Sequence, residues 1–211
     1  MKDYIEKIKN EEKNETSYMK RFIAYAIDWY IGSVLASLPL ILLYMSLHKD
    51  ATYIPSVLSI FDAPYNLIAG VMSFTVAILY YVVVPMYTHG VTLGKKICGL
   101  KIVSSSYQDA SAKQLFIRQF IMILLVEGSI YTASNMLHQM VNIVSGYNFA
   151  HIYAYIGGAI SIVSIALVIL LKSKRSLHDL VANTLVVDIK SNQYSYQVKK
   201  AKKAQKKLKL S

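Results

Sequence analysis

Cysteine is nearly missing from this sequence, and one residue, Cys98, cannot form an internal disulfide. Its position between Lys96 and Lys101 is typical of a reduced loop that faces the cytoplasm. Histidine is also scarce, and His89 and His138 are too scattered to form a metal-binding cluster. No nucleophile and base stand in a catalytic arrangement. The sequence therefore predicts no metal, no cofactor and no enzymatic activity.

Acidic residues are few, since 12 Asp and Glu stand against 23 Lys and Arg, which gives a formal net charge of +11. Hydrophobic residues nevertheless make up 55% of the chain. A chain that is both basic and apolar is typical of a polytopic membrane protein whose ends face water. The composition argues against a soluble domain, and the lipid bilayer is the first partner that it predicts.

Four apolar segments are long enough to be membrane helices. They lie at about residues 20–47, 67–87, 115–138 and 152–172. The third is the least apolar because Arg118 and Glu127 interrupt it. The predicted domains are an N-terminal tail at 1–19, a membrane domain at 20–190 and a lysine-rich tail at 191–211. The predicted fold class is an all-α membrane protein with four transmembrane helices.

The basic residues fall into three groups. Six Lys and Arg lie in residues 1–21, five lie between Lys95 and Arg118, and eleven lie from Lys172 onward, so that only Lys49 is elsewhere. Four helices place the three groups on one side of the membrane, and the positive-inside rule assigns that side to the cytoplasm. We therefore expect both termini in the cytoplasm.

An offset of 84 residues places TLGKKICGLKIV, from Thr92, over SLHDLVANTLVV, from Ser176. The same offset lays the second apolar segment over the fourth. We expect two parallel two-helix repeats about an axis along the membrane normal, each followed by a cytoplasmic amphipathic elbow. The end of the first elbow, GLKIV, also has the pattern of a short strand.

Two carboxylates inside apolar segments are the candidate ion-coupling residues. Asp28 lies about 9 Å into the first helix and Glu127 about 18 Å along the third. A carboxylate in a low-dielectric site can exchange a proton for a small cation. The side-chain oxygens of Ser33, Ser129, Thr132 and Asn135 can complete the coordination of Na⁺ or Li⁺. The alternative is structural: Asp28 binds Arg118 or caps an elbow and holds the bundle together.

The first helix indicates which way Asp28 faces. Ala24, Gly32 and Ala36 recur with Asp28 at intervals of four residues, and small residues at this spacing let another helix approach closely. We therefore expect Asp28 to face protein rather than lipid.

Four further charges are predicted to be structural: Arg21, Arg118, Arg175 and Asp179. Arg21 and Asp28 are two helical turns apart, too far along the axis for a direct pair. A charge-assisted pair between Arg21 and Asp179, or between Asp28 and Arg175, would tie the first helix to the last elbow. His178 can titrate near neutral pH, although a boundary histidine is more often a hydrogen-bonding residue.

The C-terminal run KKAKKAQKKLKL predicts contact with anionic lipid, worth about 1 kcal/mol per lysine near the surface, or an anchor for topology. The run has no interleaved aromatic residues and no fold for reading bases, so nucleic acid is not an expected partner.

The segments RFIAYAID, GVTLGKKICGLKIV and RSLHDLVANTLVV resemble the RDD family of bacterial membrane proteins. The family is named for an arginine at the start of its first helix, an aspartate within that helix and a second aspartate. Arg21, Asp28 and Asp179 stand at these positions, and Asn183 stands where a glycine is more usual. The resemblance covers about residues 18–188. It implies a protein of the bacterial inner membrane and a transport role, with cation/proton antiport in some members.

Proton-coupled transport of a small cation or solute is the leading expectation, with H⁺, Na⁺ and Li⁺ as candidate ions. Four helices are few for a complete pathway, so transport also predicts a homodimer or a larger assembly. The alternative is a non-enzymatic accessory or assembly protein whose intramembrane charges are structural. Neutralising Asp28 or Glu127 separates the two, because it stops flux in a folded transporter but unfolds or dissociates a scaffold.

Overall fold

A computed structural model of the chain describes residues 11–49, 57–128 and 132–208. Its elements in chain order are α1 (Tyr18–Leu47), α2 (Tyr65–Tyr87), α3 (Leu93–Cys98), β1 (Leu100–Ser104), α4 (Ala112–Phe116, continued by the π-helix Ile117–Val126), α5 (Thr132–Ser145), α6 (Ala150–Leu170), α7 (Leu177–Val181), β2 (Thr184–Asp188) and α8 (Asn192–Leu208). A short 3₁₀ turn, Leu58–Ile60, precedes α2.

Three helices of the described residues are long and apolar enough to cross a membrane, namely α1, α2 and α6. They correspond to the first, second and fourth predicted segments. Pro39 lies inside α1, and a wider π-helical stretch, Leu79–Val83, lies inside α2.

The third predicted helix, 115–138, is wrong as a continuous element. The helical ladder ends where the Glu127 N–H bonds the Met122 carbonyl at 2.8 Å, and Glu127 itself forms a bend outside the helix. The described part of α5 starts at Thr132. The Ser134 hydroxyl donates to the Leu124 carbonyl at 2.7 Å, which satisfies a carbonyl group near the break. Such a side-chain bond stabilises an interrupted helix inside a bundle.

The fold class all-α is incomplete, because β1 and β2 form an antiparallel pair after the two elbow helices. The strand expected at GLKIV is present as β1. One face of the pair, with Leu100, Ile102 and Val186, packs against Ala24 of α1 and Leu115 of α4. The strand pair therefore covers one end of the helix bundle.

The opposite face of the pair is covered by the two ends of the chain. Val103, Leu185 and Val187 pack with Tyr107 and with Tyr194 of α8. Residues 11–17, part of the expected N-terminal tail, are not free either: the Asn14 side chain is 2% exposed and donates to the Val186 carbonyl at 2.9 Å.

The two elbows have the same local structure at the predicted offset. The helices begin at Leu93 and Leu177, and the strands at Leu100 and Thr184, each pair 84 positions apart. Ile102 lies directly opposite Val186, its equivalent under this offset. A two-fold axis through that pair relates the two strands locally.

α1 packs against α2 along the face that the four-residue spacing predicted. Ala24, Asp28, Gly32 and Ala36 are all buried. Tyr81 of α2 lies over Gly32 so closely that a Cβ there would collide with the tyrosine ring. Asp28 thus faces protein, as its spacing predicted.

Candidate functional site

Asp28 lies on the buried face of α1 and accepts four hydrogen bonds. Its Oδ1 accepts from the Tyr80 hydroxyl at 2.9 Å and from the Gly94 N–H at 2.8 Å. Its Oδ2 accepts from the Thr92 hydroxyl at 2.5 Å and from Lys95 Nζ at 3.2 Å. Asp28 therefore joins α1 and α2 to the first turn of α3, where a carboxylate stabilises the unpaired N–H groups.

This contact requires a glycine at the second position of α3. A Cβ on Gly94 would collide with the Ala24 carbonyl and the Asp28 carboxylate. Burial lowers the pKa of the neighbouring Lys95 ammonium, and the Asp28 carboxylate opposes that shift. Of the two structural alternatives predicted for Asp28, the structure places it on the elbow and not on Arg118.

Asp179, on α7, is completely buried and is the centre of a second polar cluster. Its Oδ1 lies 2.9 Å from Arg118 Nε and accepts from the Thr184 hydroxyl at 3.1 Å. Its Oδ2 accepts from the Ser176 hydroxyl at 2.7 Å and lies 3.4 Å from an Arg21 nitrogen. The predicted approach of Arg21 to Asp179 is thus present.

Nearby positive charges affect the pKa of Asp179 more strongly than its burial does. Burial alone raises the pKa of this carboxyl, but Arg118, His178 and Arg21 hold it far below its ordinary value. Arg175 does not reach Asp28 and instead bonds Glu11 at 2.5 Å and the Asp179 backbone carbonyl at 3.0 Å. All four family-pattern charges therefore meet around α7.

A chain of hydrogen bonds connects the two clusters. Arg118 donates to Gln119 Oε1 at 2.7 Å, and the Gln119 side chain donates to the Tyr81 carbonyl at 2.9 Å. The Tyr81 hydroxyl donates in turn to the Asp28 carbonyl at 3.1 Å. The charges of the last elbow and the first helix are thus parts of one continuous network.

Glu127 occupies the break between α4 and α5 and is 7% exposed. Its Oε1 accepts from the Ser164 hydroxyl of α6 at 3.0 Å, and both of its oxygens lie 3.0 Å from His178 Nδ1 on α7. His178 Nε2 lies 3.9 Å from Asp179 Oδ2. The imidazole therefore stands between the carboxylate of the break and the buried Asp179.

Asp28 and Glu127 have corresponding surroundings in the two halves of the chain. Tyr80 donates its hydroxyl to Asp28, and Ser164 donates its hydroxyl to Glu127. Gly94 contacts Asp28 and His178 contacts Glu127, and each is the second residue of its elbow helix. Sequence reasoning recognised the two carboxylates as counterparts but did not identify their four partners, although the 84-residue offset relates Tyr80 to Ser164 and Gly94 to His178.

Of the four oxygen ligands predicted for Na⁺ or Li⁺, the structure describes the side chains of Ser33 and Asn135. Among the described residues, the Ser33 hydroxyl is buried without a hydrogen-bond partner, and Asn135 is exposed. Ser129 and the side chain of Thr132 lie outside the described residues. In the same described ranges, no three or more His, Cys, Asp or Glu side chains are grouped as metal ligands.

Several apolar helices that are long enough to cross a membrane, together with a network of buried charges at two short elbow helices, define a membrane protein. The profile of the RDD family matches residues 16–183, and the chain belongs to that family.

A relative from Bacillus subtilis (strain 168), described as uncharacterized protein YckC, is 30% identical to the chain over 111 residues. The alignment covers 53% of this chain and 56% of YckC, so the chain spans little more than half of this relative's length. No solved structure matches the chain.

Proposed function

We propose that this protein couples proton movement to the transport of a small cation or solute, and that Glu127 is the proton-exchanging carboxylate. The contact of Glu127 with His178 carries the proposal. Both carboxylate oxygens lie 3.0 Å from one imidazole nitrogen, and imidazole is the side chain suited to exchanging protons near neutral pH. Glu127 accepts a proton within the apolar segment and exchanges it with His178, which lies on the elbow helix α7.

The backbone at Glu127 also supports transport. Interrupted helices are found in transporters, where their ends line substrate and ion sites inside the membrane. Irregular backbone at membrane depth is stable only when it is buried in protein or lines a polar cavity. A helix that breaks at a buried carboxylate, as this one does after Val126, has the features of such a site.

Asp28 has a different role in this proposal. Its four hydrogen bonds, one of them from Lys95, occupy the positions that a transported cation would need. We therefore assign Asp28 to holding α1 and the first elbow together. Arg21, Arg118, Arg175 and Asp179 hold the last elbow in the same way.

The proposed topology has four crossings in two parallel repeats, with α4 and α5 together forming the third crossing. The opposed pair Ile102 and Val186 and the matched partners of Asp28 and Glu127 support it. Both termini then lie in the cytoplasm of a bacterium whose inner membrane holds the protein. The exposed Lys199, Lys200, Lys202 and Lys203 of α8 contact anionic lipid, and a homodimer completes the pathway.

An accessory or assembly function is the second candidate. The dense bonding of Asp179, which has five donors from four residues, favours it, because a fully satisfied network rigidifies a bundle without any transport.

Flux from proteoliposomes tests the proposal. Acid-loaded vesicles containing the protein should release protons when Na⁺, Li⁺ or K⁺ is added, and Glu127→Gln should abolish this release while remaining folded. Asp109→Asn is the matched control, because it removes a carboxylate that is 59% exposed. No ion-dependent release by folded wild-type protein, together with dissociation of Glu127→Gln, would support the accessory function instead.

A further inference from the structure

The face of α6 that meets Glu127 and α5 is polar along its length, although the rest of α6 is apolar. It carries four polar or small residues at intervals of three or four positions, namely Tyr153, Gly157, Ser161 and Ser164. The Ser161 hydroxyl donates to the Glu127 carbonyl at 3.2 Å, next to the bond from Ser164. The other faces of α6 expose residues such as Ile162, at 70%, and Ile165, at 59%, which suit lipid. We call the polar contact with α5 the α5–α6 seam.

His138 of α5 and Tyr153 of α6 meet at the outer end of this seam, the end far from the elbows. Their ring centroids are 3.7 Å apart and their planes are tilted by 45°. His138 Nε2 and the Tyr153 hydroxyl are both buried, and neither has a hydrogen-bond partner among the described residues. Buried polar atoms are nearly always hydrogen-bonded, and leaving them unpaired is costly. Ring packing alone therefore does not account for a histidine and a tyrosine at this position.

The outer pair and Glu127 lie on the same helix contact, one at each end. Tyr153 is eleven residues before Ser164 on the continuous helix α6, which places the pair about 16 Å from the carboxylate along the axis. Gly157, which has no side chain, and Ser161 lie between them. Because His178 contacts Glu127 from the elbow helix, an imidazole stands on each side of the carboxylate along the membrane normal.

The chemistry of the pair suits proton transfer. A neutral imidazole accepts a proton on one nitrogen and can release one from the other, and a phenol both donates and accepts a hydrogen bond. Imidazole also changes its protonation near neutral pH. Polar side chains buried inside a membrane bundle commonly mark ion and proton pathways.

We propose that the α5–α6 seam is the outer half of the proton pathway, and that His138 and Tyr153 relay protons between outside water and Glu127. This inference rests on the proposed transport function. His138 Nε2 takes a proton from outside water while the other ring nitrogen releases one to water in the seam. The Tyr153 hydroxyl gains and gives up a proton in the same way, so the pair ends each transfer unchanged. With His178 at the elbow end, Glu127 then exchanges protons with both sides of the membrane.

Phenylalanine substitutions test the relay, because they keep the ring contact and remove only the polar atoms. In proteoliposomes, His138→Phe should slow cation-driven proton release by about 100-fold and Tyr153→Phe by about tenfold, since a positioned proton-transfer group contributes on the order of 10²-fold or more. The matched controls are His151→Phe and Tyr155→Phe, which change exposed residues of α6. Both controls should release protons at nearly the wild-type rate. If His138→Phe does not fold, His138→Gln, which keeps a polar side chain that does not carry a proton, decides the result.

Charge displacement separates this relay from the proposed function. In vesicles whose elbows face outward, a pH jump reaches Glu127 through His178, so His138→Phe should keep the wild-type current while Glu127→Gln loses it. Wild-type release by His138→Phe, or an equal loss in His151→Phe, would overturn the relay and leave the transport function standing. Loss of the current in folded His138→Phe would also overturn it, because His138 would then act on proton binding rather than on the outer path. Neither release nor current from wild type would refute the transport function, and the relay with it.

Discussion

Ile102 of β1 lies directly opposite Val186 of β2, and the two residues are equivalents at a spacing of 84 positions. An antiparallel pair between a strand and its own repeat has this register only when a two-fold axis passes between the paired residues. The Ile102 N–H bonds the Gly90 carbonyl at 2.9 Å instead of Val186, so the two residues form a non-hydrogen-bonded pair with closely spaced side chains.

Cysteines at these two positions should therefore cross-link. In a Cys98→Ser background, the double variant Ile102→Cys, Val186→Cys should form a disulfide on mild oxidation, because Cβ atoms of such pairs lie about 4.5–5.5 Å apart and small backbone adjustments close the remaining gap. The readout is the mass shift after maleimide labelling.

The control pair is Ile102→Cys with Leu185→Cys, because Leu185 belongs to the opposite face of the strands. Cross-linking of the control pair in preference to Val186 would show that the register is different.

Asp179→Asn should strongly destabilise the protein. The substitution leaves Arg118, which is 4% exposed, and Arg21 without their buried carboxylate. Removing one partner of a buried ion pair costs about 3–5 kcal/mol. Thermal unfolding in detergent measures the loss.

Asp109→Asn is the comparison, and it should cost less than about 1 kcal/mol because the Asp109 side chain is 59% exposed. Equal melting temperatures for the two variants would argue that the Asp179 network contributes little to stability.

The contribution of Asp179 should also depend on pH. Its folded-state pKa is lowered, so the stabilisation is complete above the ordinary carboxyl pKa of about 4 and is lost as the pH falls towards the folded-state value. The stability difference between wild type and Asp179→Asn should therefore be constant from pH 7 to about 5 and shrink below about 4. A difference that grows on acidification would have the wrong sign for this carboxylate.

Gly94→Ala should disturb the first elbow. The added Cβ would collide with the Ala24 carbonyl and Asp28, and overpacking of this kind costs about 1–3 kcal/mol. Ile97→Ala, on the same helix but 69% exposed, should leave the unfolding temperature nearly unchanged. If the two variants had the same unfolding temperature, α3 would not pack on α1 as closely as described.

Tyr80→Phe and Ser164→Ala should separate the roles of the two carboxylates. Tyr80→Phe removes the hydroxyl that donates to Asp28, and Ser164→Ala removes the hydroxyl that donates to Glu127. If Asp28 is structural and Glu127 exchanges protons, Tyr80→Phe lowers stability without altering the pH dependence of flux. Ser164→Ala should shift that pH dependence with a smaller effect on stability. The reverse pattern would exchange the two assignments.

Parts of this site could be predicted from local sequence patterns and from complementary charges. The four-residue spacing of Ala24, Asp28 and Gly32 predicted the face of α1, and the opposite charges of Arg21 and Asp179 predicted their approach. The GLKIV pattern predicted β1.

Other parts depend on contacts between distant residues. Apolar residues continue up to Glu127, so composition alone does not indicate that the third helix is interrupted there. The position of His178 against Glu127 follows from how α7 packs on the break, and no local pattern encodes it. For the same reason, Lys95 was not predicted as a partner of Asp28.

Proton binding by Glu127 is the central claim, and charge displacement measures it most directly. Vesicles carrying the protein are adsorbed on a solid-supported membrane, and a pH jump is applied without any transported cation. Wild type and Asp109→Asn should give a transient current, and Glu127→Gln should give none although it elutes as folded protein. An undiminished current from Glu127→Gln would contradict the account.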